Sequence, residues 1–176
     1  MTRSRRFDYD GFSARYGNRR SGVEPIGWPV ELSSITRIGD SVLHDRGNGR
    51  PHKGVDIFVP EGTAIRAARA GRVLRVVDGR FSTRESSKRA GLFVDVLATD
   101  SRVYRYLHLA DAAVQKGAPV GMGALIGHLS GPHTSGLAAE PHLHFEIRDG
   151  DYGSERMDYG TPIDPLRLLP PFKVRA

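Results

Sequence analysis

From Val55 onward, short apolar stretches alternate with turn residues, at the roughly 8–12-residue spacing of an all-β chain. Val55-Asp56-Ile57-Phe58-Val59 ends at Pro60-Glu61-Gly62, a turn signal, and a second stretch follows at Thr63 to Ala67. Arg72 to Val77 is the next predicted strand, closed by Asp78-Gly79. Arg80 to Arg89 is basic and polar and is predicted as a loop. Leu92 to Ala98 and Ser101 to Leu109 are predicted strands, with Asp100 in the turn between them. Val114 to Gly127, punctuated by Gly117, Gly121 and Gly123, predicts a tight strand–turn–strand unit. Gly131 to Pro141 is a loop, His142 to Arg148 a strand, and Asp149-Gly150 opens a further loop. Pro162 to Leu169 closes the pattern, with a short helical turn after Asp164-Pro165. There is no βαβ rhythm, heptad or fixed-period repeat. The prediction is therefore a mainly β domain, a small antiparallel β-sheet or sandwich with few short helices.

Alternation within these strands also sorts the polar residues. Side chains two apart on a strand share a face. His142, His144 and Glu146 thus lie opposite Leu143 and Phe145, and Tyr104, Tyr106 and His108 lie opposite Leu107 and Leu109. His52 and Asp56 are four apart and share a face if their segment is extended. Gly54 between them lets the backbone pass close to a metal or substrate. Two imidazoles and one carboxylate can hold a divalent ion with a coordination position left open, the pattern of a catalytic zinc rather than a structural one. Taken alone, His-x-x-x-Asp is unspecific, and a surface His-x-His is as easily polar decoration.

Composition narrows the chemistry. The 176 residues suffice for one domain with a hydrophobic core, and 39% hydrophobic against 26% charged residues is ordinary for a globular protein. The 21 glycines and 11 prolines fit a turn-rich β fold. Cysteine is absent, so disulfides and thiolate metal sites are excluded and any metal falls to histidine and carboxylate. The net charge of +6 suits an anionic partner such as nucleic acid, anionic lipid or bacterial wall polymer. Much of the excess sits in residues 1–22, a basic arm with Arg3, Arg5, Arg6, Arg15, Arg19 and Arg20, leaving 23–176 as the folded domain. Neither a membrane-spanning apolar run nor the apolar stretch of a secretory signal is seen, so an envelope protein of this sequence would need a signal removed beforehand or another export route.

Seven segments then align in order over residues 28–168: His52-Lys-Gly-Val-Asp56, Pro60 to Thr63, Ala70-Gly-Arg-Val73, Tyr106-Leu-His108-Leu, the glycine-rich run through Gly127, Pro141-His-Leu-His-Phe-Glu146, and Ile163-Asp-Pro165. In this set and order they resemble the lysostaphin/LytM-type zinc endopeptidases, which cleave peptide crosslinks of bacterial peptidoglycan. The resemblance implies a duplicated-hybrid-motif-like β-sheet with a groove between loops. It implies one Zn2+ ion held by His52, Asp56 and His144, with His108 and His142 as catalytic histidines facing the water and the scissile carbonyl. Tyr106 is either a hydrogen-bond donor to the oxyanion or a core tyrosine. Glu146 either orients a histidine ligand or forms a surface ion pair. The partners implied are peptidoglycan peptides, for a monomer in the cell envelope, periplasmic or extracellular.

Some residues stand outside that pattern. His44, His128 and His133 fit none of these roles and read as solvated loop histidines. Thr134 to Pro141 is longer than the family's usual Ser-Thr-Gly-Pro approach, with Glu140 where a small residue is usual, so substrate preference is open. Arg80 to Arg89 and Asp149 to Gly160 are also long. Three other functions fit the residues less well. A non-catalytic wall-binding or partner-regulating relative would usually lack ligands that this chain keeps. Nucleic-acid binding through the arm leaves the histidines unexplained, and specific nucleic-acid binding is not expected. A small cargo-carrier β domain would need an attachment lysine in an evident turn, and none stands there.

Overall fold

A computed structural model describes residues 26–42, 51–150 and 160–172. The basic arm at 1–22, His44 and most of the 149–160 loop lie outside the described residues. Among the described residues the chain forms ten strands: β1 (Arg37–Ile38), β2 (Val55–Phe58), β3 (Ala64–Arg66), β4 (Gly71–Asp78), β5 (Leu92–Ala98), β6 (Val103–Ala112), β7 (Pro119–Val120), β8 (Leu125–Leu129), β9 (His142–Asp149) and β10 (Thr161–Ile163). One α-helix, α1 (Glu85–Ala90), and 3-10 turns at Leu32–Ser34 and Pro165–Arg167 complete the elements. Every strand pair is antiparallel. The sheet is open, in the order β1-β2-β9-β6-β5-β4-β7, with β10 added to β9 and the β3–β8 pair attached to β6.

The mainly β, antiparallel architecture follows the apolar alternation. On β9, Leu143, Phe145 and Ile147 point into the core at 0% exposure, beside Val55 and Ile57 of β2 and Tyr104 and Tyr106 of β6. Each such side chain contributes about 1.5–3 kcal/mol when fully buried. The opposite face of β9 carries His142, His144, Glu146 and Arg148. Register places Asp56 directly across from His144, so one strand pair delivers two of the candidate ligands to one spot.

Two local expectations were wrong. Arg80 to Arg89 is not loop throughout, since α1 occupies its second half. Glu85 in its first turn and Lys88 and Arg89 in its last complement the helix dipole, and Gly91, at φ 67°, ends it. A six-residue helix is too short to show an apolar period. The second correction is on β6. Tyr104 and Tyr106 do not share a face with His108, because His108 has φ 64°. This left-handed residue breaks the alternation. It leaves both tyrosines and Leu109 in the main core and turns His108 toward His142 and His144, at ring-centroid distances of 4.9 and 6.2 Å. Such a conformation costs of order 1–3 kcal/mol in a non-glycine residue and persists only where its surroundings enforce it. Here the His108 carbonyl accepts from Ser130 N at 3.0 Å, and ring Nδ1 reaches Ser135 O at 3.0 Å. Strands β1 and β10 and the first 3-10 turn are too short for a two-residue period to reveal, whereas β7 and the start of β8 fall within the strand–turn–strand unit expected over residues 114–127.

Candidate active site

His52 Nε2, Asp56 Oδ1 and His144 Nδ1 meet at one point. His52 Nε2 lies 3.1 Å from Asp56 Oδ1 and 3.0 Å from His144 Nδ1, which is itself 2.8 Å from the same oxygen. The other nitrogen of each ring is already engaged. His52 Nδ1 donates to the Ser41 carbonyl at 3.1 Å, since a carbonyl can only accept. His144 Nε2 lies 3.0 Å from Glu146 Oε1. With the outward nitrogens donating, two neutral rings and an ionised Asp56 aim three lone pairs at each other. Only a positive charge relieves that arrangement.

The protonation preferences express the same demand. Burial by itself would raise the Asp56 carboxyl, but contacts with His144 and His52, with the charges of His144 and His142, outweigh it and hold the group well below the ordinary carboxylate range. Burial would lower His144, yet Asp56 and Glu146 on its two sides raise it to about 9. A proton on His144 is the smallest cation that fits the cluster. A divalent metal could instead be shared by all three donors, which lie within 4.8 Å of one another. These residues can therefore hold a zinc ion, and each histidine is braced by an outer partner as metal-ligating histidines usually are.

His108 and His142 stand beside this cluster. His142 Nδ1 donates to the Glu140 carbonyl at 2.8 Å, and His142 Nε2 lies 3.7 Å from Asp56 Oδ1. Phe58 stacks against the His142 ring at 5.2 Å and is covered by the Arg37 guanidinium at 3.5 Å, which also pairs with Glu140 at 2.9 Å. Burial, then the charges of His144 and His142, lowers His108 to about 3, so that ring is neutral at ordinary pH. In both residues a backbone carbonyl takes the Nδ1 proton, and in the neutral His108 ring this leaves Nε2 as an acceptor.

The remaining candidates from the sequence separate clearly. The Tyr106 hydroxyl is buried in the core, accepts from Ala68 N at 2.9 Å and packs its ring on Phe145 at 5.3 Å. Tyr106→Phe leaves the Ala68 N–H without that acceptor, so a loss of about 1–3 kcal/mol in thermal or urea unfolding is expected, with turnover unchanged. Glu146 is buried rather than a surface ion-pair residue. His128 is partly exposed and pairs with Asp111 at 2.9 Å, and His133 lies in the 131–141 loop with its backbone N–H on Ala138 O. Gly54 serves a different purpose from the one its spacing suggests. A Cβ there would sit 2.2 Å from Phe145 O, so the close approach is to strand β9. Sequence reasoning missed Ser41, Ser135 and the Glu140 carbonyl, because a backbone oxygen leaves no mark in the residue pattern. It also missed the buried Asp95, Arg105 and Arg148, for which charged residues inside an otherwise apolar strand were the available signal.

Known proteins resemble this chain in sequence and in fold. The chain is 34% identical over 97 residues to the peptidoglycan DD-endopeptidase ShyA of Vibrio cholerae, covering 55% of this chain and 20% of that protein. The catalytic domain of the antimicrobial peptidase lysostaphin from Staphylococcus simulans superimposes with a TM-score of 0.61 at 25% identity, covering 77% of this chain and 92% of that one. A zinc containing peptidase from Vibrio cholerae gives the same TM-score and identity, over 80% of this chain and 39% of that one. The chain spans only 20–52% of the length of the first four curated relatives it matches. The family model for peptidase family M23 matches residues 50–165, a stretch containing His52, Asp56, His108, His142 and His144, and the chain belongs to that family.

Proposed function

We propose that this chain is a zinc-dependent endopeptidase that hydrolyses peptide crosslinks or stem peptides of bacterial peptidoglycan in the cell envelope. The observation that carries this reading is the convergence of His52, Asp56 and His144 on one point, beside two further histidines that are each held through Nδ1 by a backbone carbonyl. Relatives named for peptidoglycan and antimicrobial peptidase activity support the substrate class. The +6 charge supports it too, since a wall rich in carboxylates attracts a basic protein. No helix among the described residues is long and apolar enough to cross a membrane.

His52, Asp56 and His144 would hold the ion. A zinc ion with one carboxylate and two neutral imidazoles supplies Lewis acidity and brings the pKa of water to about 7. The chain's own residues do the rest. Ser41 O and Glu146 keep both ligand rings turned with their lone pairs inward. His108 and His142, pinned through Nδ1, present Nε2 to accept the proton of the attacking water and to return it to the departing amine. General acid–base help of this kind is worth about 10²–10⁴-fold. His108→Ala and His142→Ala are each expected to lower kcat within that range while one zinc per chain remains bound, as read by metal analysis.

The overall test is digestion of purified sacculi of two crosslink types, with and without chelator, followed by mass spectrometry of the released peptides. Products that vanish with chelator and return with zinc are expected. A folded, zinc-loaded chain that releases nothing from either substrate overturns the proposal.

A further inference from the structure

The face of the sheet that bears the candidate ligands also bears a row of charge. Arg75 of β4 lies opposite Asp95 of β5, Asp95 opposite Arg105 of β6, and Arg105 opposite Glu146 of β9. Signs alternate across four strands at one register. Arg105 grips Asp95 with two hydrogen bonds of 2.7 and 2.9 Å and lies over the Phe93 ring at 4.8 Å. Arg75 Nε reaches Asp95 at 3.4 Å. On the other side, Arg105 Nη1 is 3.8 Å from Glu146 Oε2, the oxygen that also accepts from Arg148 Nε at 2.5 Å. The row ends where Glu146 Oε1 meets His144 Nε2. Asp95, Arg105, Glu146 and Arg148 are all at most 4% exposed.

Four buried charges in the middle of a sheet are poor value as stability alone, because well-packed apolar residues of similar volume often do as well or better. Their arrangement suits another task. The two oxygens of Glu146 are divided, one for the ligand ring and one for the arginines. The carboxylate therefore cannot rotate without breaking one set. Arg105 cannot shift to follow it, because both arms of its fork are committed to Asp95.

We propose that this alternating row is a brace for the metal site, in which Asp95 and Arg105, two strands and one strand removed from β9, are positioning residues that act on the His144 ring through Glu146. The brace sets which His144 nitrogen carries the proton and holds the other in line for the ion. It rests on the reading of His144 as a zinc ligand and extends it to residues that touch neither metal nor substrate.

The test measures zinc affinity of the folded chain by competition with a chromophoric chelator, apart from catalysis. Glu146→Gln is expected to weaken zinc about 10–100-fold, as loss of an outer partner of a metal-bound histidine does. Asp95→Asn and Arg105→Lys, which keep shape or charge but break the fork, are expected to weaken it roughly 2- to 30-fold. Val96→Ala is the control, a buried neighbour on the core face; it should lower thermal stability and leave zinc affinity unchanged. Imidazole 15N NMR of the unsubstituted chain, needing no variant to fold, should show a slowly exchanging His144 Nε2 proton. Zinc affinities of Asp95→Asn and Arg105→Lys equal to the parent overturn the brace, as does a rapidly exchanging or absent Nε2 proton. A parent chain that binds no zinc overturns instead the metal-site reading beneath it.

Discussion

On the proposed function, replacing His144 with alanine is expected to abolish zinc binding and to lower peptidoglycan cleavage by at least about 10³-fold, while the chain stays folded. The size follows from what one side chain supports. Loss of Lewis-acid stabilisation costs several kcal/mol of barrier, and about 4 kcal/mol is a factor of ~10³ in rate. His144 touches the other two donors directly, at 3.0 and 2.8 Å, so its removal leaves only one imidazole and one carboxylate, too few protein donors to retain an ion. The fold survives because β9 is anchored from its other face by Leu143, Phe145 and Ile147. Glu146 retains Arg148 and Arg105. The measurements are product release from sacculi, metal content, far-UV circular dichroism and retention on insoluble wall. His128→Ala, which removes a partly exposed histidine of β8 outside the ligand set, should match the parent in each. Full cleavage by His144→Ala would remove the basis of the hydrolytic reading. Loss of cleavage with zinc still bound at full stoichiometry would show that His144 is not a ligand.

Gly54→Ala is the larger structural perturbation, out of proportion to its single methyl group. The new Cβ would stand 2.2 Å from Phe145 O and 2.9 Å from Glu146 Cγ. The first contact is backbone and cannot rotate away, so β2 and β9 must separate. Overpacking of this kind costs about 1–3 kcal/mol, and more where a ladder is forced apart. For a domain of this size that corresponds to a fall in Tm of roughly 2–4 °C per kcal/mol. The site suffers as well. Val55↔Phe145 and Asp56↔His144 are adjacent rungs of the ladder, and His52 lies just before it. A displacement of about 1 Å in such a constellation can cost 10²-fold in rate. Thermal unfolding and zinc titration should fall together. Gly121→Ala is the control, since its Cβ meets open space. A Gly54→Ala chain with parental Tm and zinc affinity would contradict the close approach of the two strands at this residue.

The candidate donors were legible because each sits in a short motif with its own frame. His142-Leu-His144 reads as two residues on one face of a strand whose other face is apolar, and the structure keeps that division. The close approach at Gly54 was legible too, but its partner was not, because the neighbouring strand lies some ninety residues away in the chain. Alternation failed at His108, where one left-handed residue reverses the face and pattern carries no sign of φ. Arg80 to Arg89 misled for the opposite reason: α1 is held by its ends rather than by an apolar stripe.

By itself the sequence determined the mainly β architecture, the strands that bury Leu143, Phe145 and Ile147, and the imidazoles and carboxylate available to a metal once thiolates are absent. These are properties of residue type and local period. Only the tertiary structure decided which nitrogen each ring presents, that Tyr106 caps Ala68 N inside the core, and that Asp95 and Arg105 stand in line with Glu146 behind His144. Those depend on backbone carbonyls and cross-strand register. Pairing between distant segments sets both, and no window along the chain contains it.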